Sequence, residues 1–179
     1  MYFSGLTVLA FLASIVSCAE PMHATAYVTG INPNTNGTIH GTIQFSQQDR
    51  HTPTHIFANI TGLTEGDHGI HIHQSGDLSG GCATTGAHYN PFNRTHGGLD
   101  NKERHVGDLG NIVADQAGQA FLNVSSDLIF LSGKYSVIGR AVVVHSGQDD
   151  LGLGGSPLSN TTGNSGERWA CGVIGYPSA

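Results

Sequence analysis

The sequence predicts an all-β fold, and three observations carry that expectation. Gly is abundant, at 26 of 179 residues, and charged residues make up only 11%. No long stretch repeats apolar and polar residues with a helical period. Instead, short runs of β-branched and aromatic residues are bounded by Gly, Pro, Asn and Asp, the composition of strands joined by tight turns. A chain of this length suits one domain with a real core. Neither repeats nor a linker divide it, so a single domain is expected over residues 20–179. The formal net charge of −6 offers no electrostatic footprint for nucleic acid or for an acidic membrane surface.

Residues 1–19 stand apart. An apolar run over residues 6–16 leads into the small residues Ser17, Cys18 and Ala19, which reads as a secretory signal cut after Ala19. The run is short for a bilayer span. A bacterial lipoprotein leader with Cys18 lipidated is the competing interpretation. N-x-S/T acceptors begin at Asn36, Asn59, Asn93, Asn123 and Asn160; such tripeptides matter in a chain that enters the eukaryotic secretory route and support secretion to the extracellular space. Without the leader, Cys82 and Cys171 form an even pair in an oxidising compartment, and one disulfide is the economical inference, with two buried thiols as the alternative. A bridge closing so long a loop stabilises by about 4 kcal/mol on the chain-entropy account.

In chain order, residues 24–29, 37–45 and 54–60 read as strands, the first two able to form a hairpin. Residues 62–69 carry three glycines and read as a connection into a strand beginning at Ile70. That strand contains His71 and His73, which share one face while Ile70 and Ile72 take the core side. An H-x-H on a strand is a preformed two-nitrogen clamp, or else an exposed polar face. Residues 74–108 form a loop of a length associated with function or disorder. Residues 110–114 and 119–124 read as a hairpin. Residues 137–144 run almost wholly apolar, a buried strand delivering His145 to its rim, and a polar loop over 146–168 leads to a closing strand from Trp169.

The first long loop holds His88, His96, His105 and Asp108 at intervals of eight, nine and three residues. No helical or strand period explains those intervals, so the shared property is chemical. Three imidazoles and a carboxylate complete a tetrahedral shell for Zn²⁺, with Gly97, Gly98 and Gly107 allowing the backbone to bend around one ion. A solvated His-rich surface loop is the bland alternative.

Taken together, these segments resemble the copper/zinc superoxide dismutases, in particular the secreted eukaryotic ones. The resemblance rests on GIHIH at 69–73, GD at 76–77, GC at 81–82, HYNP at 88–91, HGG at 96–98, ERHVGDLGN at 103–111, VVH at 143–145, DDLG at 149–152 and RWACGVIG at 168–175. It spans essentially the whole chain after residue 19. It implies an eight-stranded Greek-key barrel with two long functional loops, and an enzyme that disproportionates superoxide to dioxygen and hydrogen peroxide. It further implies copper on His71, His73, His88 and His145, and zinc on His88, His96, His105 and Asp108, with His88 bridging the two metals. Asp149 would link His71 to His96, and Arg168 would orient the incoming anion. His23, His40, His51 and His55 match no ligand position, and His68, pointing away from the clamp, has a structural role.

Two departures from the family pattern bear on function. Where cytosolic members carry acidic residues and a lysine in the second long loop, this chain has Pro157, Leu158 and Thr161, and Glu167 adds a negative charge beside Arg168. A weaker ionic-strength dependence is therefore expected. The segments around 76–77, 138–139 and 172–176 match those that pack across the family's dimer interface, which implies a homodimer. Residues 175–179 carry no basic cluster, so binding to glycosaminoglycans is not expected. The alternative to an enzyme is a copper- and zinc-sequestering or delivery module of the same fold.

Overall fold

The computed structural model describes residues 20–178. Its strands are β1 (Met22–Asn32), β2 (Gly37–Gln47), β3 (Thr54–Thr61), β4 (Gly66–His73), β5 (Ser79–Cys82), β6 (Asp108–Ala114), β7 (Ala120–Ser126), β8 (Ala141–His145) and β9 (Arg168–Gly175). Eight of them close into one barrel in the order β1-β2-β3-β7-β6-β4-β8-β9, every pairing antiparallel. The jumps β3 to β7 and β6 to β4 are Greek-key crossings. The expected eight-stranded all-β barrel is therefore the observed one. The expected leader at residues 1–19 lies outside the described residues.

The barrel interior is aliphatic. Ile39, Ile43, Phe45, Ile56, Ile60, Ile70, Ile72, Ile112 and Ile174 are all buried, and β3 shows the alternation that places such residues inside, with Ile56, Ala58 and Ile60 buried between exposed neighbours. β4 is different, because His68 to His73 are buried on both faces. Ile70 and Ile72 point into the core as expected, whereas the histidine face is roofed by the two long loops.

Some boundaries differ from the sequence expectation. β4 begins at Gly66 and not at Ile70, because Gly66, Asp67 and His68 pair with Ala114, Val113 and Ile112 of β6; a partner strand supplies the ladder regardless of the weak propensity of these residues. β8 begins at Ala141, because the preceding residues turn, with Arg140 N donating to the Val137 carbonyl at 3.1 Å and Gly139 at φ 79°. Val137 is apolar because that turn packs on the core. The first long loop contains β5 and a 3-10 turn at Ala83–Thr85, and the second contains one helical turn, Ser159–Thr162. Among the described residues no helix is long and apolar enough to cross a membrane.

Candidate metal centre

Four parts of the chain meet on the roofed face of β4. β4 supplies His71 and His73, the end of β8 supplies His145, and the start of β6 supplies Asp108. The first long loop is drawn onto β4 by backbone bonds. Gln74 N donates to the Ala87 carbonyl at 2.8 Å and Tyr89 N to the Ile72 carbonyl at 2.8 Å, which seats His88 opposite His73. The Cys82–Cys171 disulfide ties the same loop to β9 across a separation of 89 residues.

The structure gathers the sequence-predicted histidines into two overlapping sets. Donor atoms of His71, His73, His88 and His145 lie within 4.8 Å of one another, and so do those of His88, His96, His105 and Asp108. In the second set, the Nδ1 atoms of His88, His96 and His105 lie 2.9, 3.0 and 3.1 Å from Asp108 Oδ1, and His88 Nδ1 is 3.4 Å from His105 Nδ1. A tetrahedron with arms of about 2.0–2.1 Å has edges of about 3.3 Å, so this contracted cage is close to a zinc shell. Asp108 Oδ2 accepts from His105 N at 2.8 Å and Gly97 N at 3.1 Å, which fixes the carboxylate.

In the first set, each ring is anchored by one nitrogen and turns the other inward. His71 Nε2 donates to Asp149 Oδ2 at 2.7 Å. His73 Nδ1 donates to the Gly86 carbonyl at 2.9 Å, and His145 Nδ1 approaches the Gly166 carbonyl at 3.3 Å. Those anchors set the tautomers. His73 Nε2 and His145 Nε2 therefore present lone pairs to each other at 3.4 Å, while His71 Nδ1 and His88 Nε2 are buried with no partner at all. Four converging lone pairs without a donor are unfavourable alone and are the donor set of a cation.

Charge balance in the site agrees. Burial, followed by the neighbouring His88, pushes His73 down to about 2, and the same two causes push His145 down to about 4. Burial likewise lowers His71 well below the ordinary histidine range and also lowers His88. These rings stay neutral, as metal ligands must be. His96 goes the other way in the metal-free protein, so a metal held at its Nδ1 would have to displace a proton. Burial opposes its charged form, but the Asp108 and Asp149 carboxylates on its two nitrogens outweigh burial and raise it to about 9. Asp149 is brought down to about 2, because its bonds with His71 and His96 overcome the burial that would raise it.

Asp149 is the hinge between the two sets. Its Oδ2 takes His71 and its Oδ1 takes His96 Nε2 at 2.8 Å. Asn111 clamps the Asp149 backbone from both sides, donating to its carbonyl at 2.8 Å and accepting from its N–H at 2.7 Å. The sequence assigns Asn111 no individual role, since an Asn in a glycine-bearing motif has no signature of its own. His68 is buried, with its ring 2.8 Å from the His145 carbonyl and 5.5 Å from Trp169. It thus supports the strand end that presents His145. His40 and His55 meet only Thr61 and Ser125 outside the site.

Arg168 lies in the mouth. An open cleft of about 370 Å³ is lined by His73, His88, His145, Leu158, Thr162, Asn164, Glu167 and Arg168. The guanidinium donates to the carbonyls of Cys82 at 2.9 Å, Ala83 at 3.2 Å and Gly86 at 2.7 Å and to Thr85 Oγ1 at 3.1 Å. It is a positioned cation whose four acceptors are uncharged.

Residues 39–174 match the family model for copper/zinc superoxide dismutase. This chain belongs to that family. It is 47% identical to an extracellular copper/zinc superoxide dismutase of Drosophila melanogaster, over 93% of this chain and 94% of that protein. It is 48% identical to superoxide dismutase [Cu-Zn] 3 of Arabidopsis thaliana over 88% of this chain and 93% of that one. It is 52% identical to superoxide dismutase [Cu-Zn] 2 of Mesembryanthemum crystallinum over 82% and 93%. For a copper/zinc superoxide dismutase the two donor sets are chemically apt, four imidazole nitrogens suiting copper and three nitrogens with a carboxylate suiting zinc.

Proposed function

We infer that the chain is a superoxide dismutase, converting two superoxide anions and two protons to dioxygen and hydrogen peroxide. His71 Nδ1, His73 Nε2, His88 Nε2 and His145 Nε2 would hold copper; His88 Nδ1, His96 Nδ1, His105 Nδ1 and Asp108 Oδ1 would hold zinc. Copper would supply the one-electron couple that such a reaction needs, and zinc, held by His88, His96, His105 and Asp108, would supply a fixed positive charge. The observation that carries this assignment is the set of inward lone pairs with anchored tautomers, two of them on orphaned buried nitrogens.

The chain's own residues do the rest. Arg168, held by its four acceptors, presents positive charge to a small anion entering the cleft and orients it beside His73, His88 and His145. His88 Nε2 faces that cleft while its Nδ1 is engaged by Asp108, so Nε2 is the atom at which a proton can be held and handed to the reduced product. Asp149 fixes the planes of His71 and His96, keeping both donor sets in register.

The mature domain would be residues 20–179, secreted to the extracellular space. Supporting this are the leader-like composition of residues 1–19, the similarity to an extracellular relative and the Cys82–Cys171 disulfide. A homodimer fits as well. Gly139 N donates to the Ile174 carbonyl at 2.8 Å and Gly76 packs on the Gly139 carbonyl, so the three dimer-like segments share one surface with Val173 and Tyr176 exposed.

The deciding experiment compares superoxide decay by the copper- and zinc-loaded protein and by a His88→Ala variant prepared identically. Fast catalytic decay, lost or greatly weakened in the variant, is the expected result. No turnover despite full metal occupancy overturns the assignment.

A further inference from the structure

We propose that Asn59 and Asn123 carry N-linked glycans whose first sugar lies over Phe57 and Phe121, closing an aromatic patch on the outer wall of the barrel. This rests on entry into the secretory route, but not on the dismutase chemistry.

The two sites have the same local sequence. Phe57-Ala58-Asn59-Ile60-Thr61 on β3 and Phe121-Leu122-Asn123-Val124-Ser125 on β7 both read F-x-N-x-S/T. In a strand, residues two apart share a face, so each phenyl ring stands beside its acceptor asparagine. The strands are paired neighbours, and their register puts Asn59 opposite Phe121 and Phe57 opposite Asn123. The result is a checkerboard in which each asparagine has one phenyl along its own strand and another directly across, about 5 Å away. All four residues are exposed.

The patch extends along one row. Val113 pairs with Phe121 on β6, and Tyr27, across Thr42, lies on the other side of Asn59. Phe57 is 44% exposed, Phe121 56%, Val113 61% and Tyr27 74%. Phe57 and Phe121, diagonal to one another with Val113 beside them, form a small exposed apolar patch interleaved with Asn59 and Asn123, the kind of surface that can mark a contact site. A protein partner is a poor fit, because two acceptor asparagines occupy the middle of the patch. A pyranose is a good one, since its ring C–H groups form an apolar face and its hydroxyls a polar rim, and the apolar face can displace water from the phenyl.

The other three acceptors lack this setting. Asn36 and Asn93 sit in turns with φ 54° and 51°, and Asn160 sits in the short helical turn Ser159–Thr162. None stands on a strand beside a phenyl.

The modification balances without redox chemistry. The asparagine Nδ2 forms a bond to the anomeric carbon of an oligosaccharide carried on a lipid pyrophosphate. The sugar–phosphate bond breaks, the lipid pyrophosphate leaves with the electron pair, and the amide gives up one proton.

The test expresses the full chain in a secreting eukaryotic cell, alone and behind an added signal sequence of known competence. Glycopeptide mapping reads occupancy at Asn59 and Asn123. Melting temperature and apolar-dye binding are then compared for the intact protein, for protein trimmed to one sugar per site, and for protein stripped by an amidase. Both sites are expected to be occupied. Trimming should leave the melting temperature unchanged, while stripping should lower it by several degrees and raise dye binding. A Phe57→Ser/Phe121→Ser variant should lose that difference while keeping its dismutase activity. Empty sites on the chain with the added signal, or occupied sites whose removal changes neither readout, overturn the proposal. Modification only when the signal is added overturns natural secretion and leaves the surface chemistry standing.

Discussion

His73 and Arg168 are joined through a single acceptor, the carbonyl of Gly86, which takes His73 Nδ1 at 2.9 Å and Arg168 Nη2 at 2.7 Å. The cation proposed to receive the anion and a ring that faces the same cleft are therefore fixed by one peptide. The Gly86 peptide belongs to the segment that the Cys82–Cys171 bridge ties to β9, the strand that begins with Arg168. The Arg168 guanidinium and the His73 ring are thus coupled through the backbone.

Replacing Arg168 should separate the two roles. An Arg168→Ala variant should lose at least about tenfold in kcat/KM while retaining copper, because the charge that stabilises the anion is gone but all four inward nitrogens remain. Arg168→Lys keeps the charge but cannot fill four acceptors spread over residues 82–86 with one ammonium. It should recover part of the lost rate. Steady-state rates with metal analysis of the same samples check this; loss of copper in parallel with rate would contradict it.

Asp149 touches neither proposed metal position, yet it holds a ring in each donor set. An Asp149→Asn substitution would set an amide where two N–H groups now donate, and metal affinity should fall about 10- to 100-fold for both ions. Gly163 makes a second probe. It has φ 63°, and a Cβ there would overlap Asp149 Oδ1 and His96 Nε2, so Gly163→Ala should weaken metal retention in the same direction. Competition titrations with a chromophoric chelator read both effects. Unchanged affinity in Asp149→Asn would show that packing alone orients the rings.

The legible part of this site was the part carried by side chains with distinctive chemistry. His88, His96, His105 and Asp108 stood out because a loop gives histidines no packing reason to recur, and His71 and His73 because strand alternation puts them on one side. What stayed hidden is carried by the main chain or by pairing. The Gly86 carbonyl has no side-chain signature, and Asn111 acts only because its neighbour strand brings Asp149 within reach. The start of β4 at Gly66 depends on β6, a partner 42 or more residues away in sequence. Apolar patterning likewise overextended β8, since Val137 is buried in a turn as well as it would be in a strand.

The metal-free protein should be least stable in acid. His145 and His73 are pushed to about 4 and about 2 when folded, against about 6.5 in the unfolded chain. Below pH 6.5 the unfolded chain takes up protons that the folded one refuses, so stability falls as pH drops from 6.5 towards 4. Each such histidine contributes a slope of up to about 1.4 kcal/mol per pH unit. His96 has the opposite sign. Raised to about 9, it adds stability that is complete below pH 6.5 and fades as pH climbs to 9. Melting temperatures of the chelated protein should therefore peak near neutrality and fall on the acid side. A curve that is flat or rising between pH 6.5 and 4.5 would contradict this.

Entry of superoxide should depend only weakly on salt. The cleft is lined by Leu158, Thr162 and Asn164, and its charged residues are Arg168 and the neighbouring Glu167. Long-range attraction needs a field of one sign over the mouth, and here the two charges oppose each other at any distance beyond a few ångströms. Raising ionic strength from about 0.01 to 0.15 M shortens the screening length from about 30 to 8 Å, which removes little of an attraction that the cleft's own two charges already cancel at a distance. A Glu167→Gln variant leaves Arg168 unopposed. Its kcat/KM at low salt should rise roughly two- to fivefold and should then fall with added salt more steeply than that of the parent. Stopped-flow superoxide decay over a salt series tests both statements. A parent rate that drops steeply with salt would mean that charges beyond the cleft guide the anion.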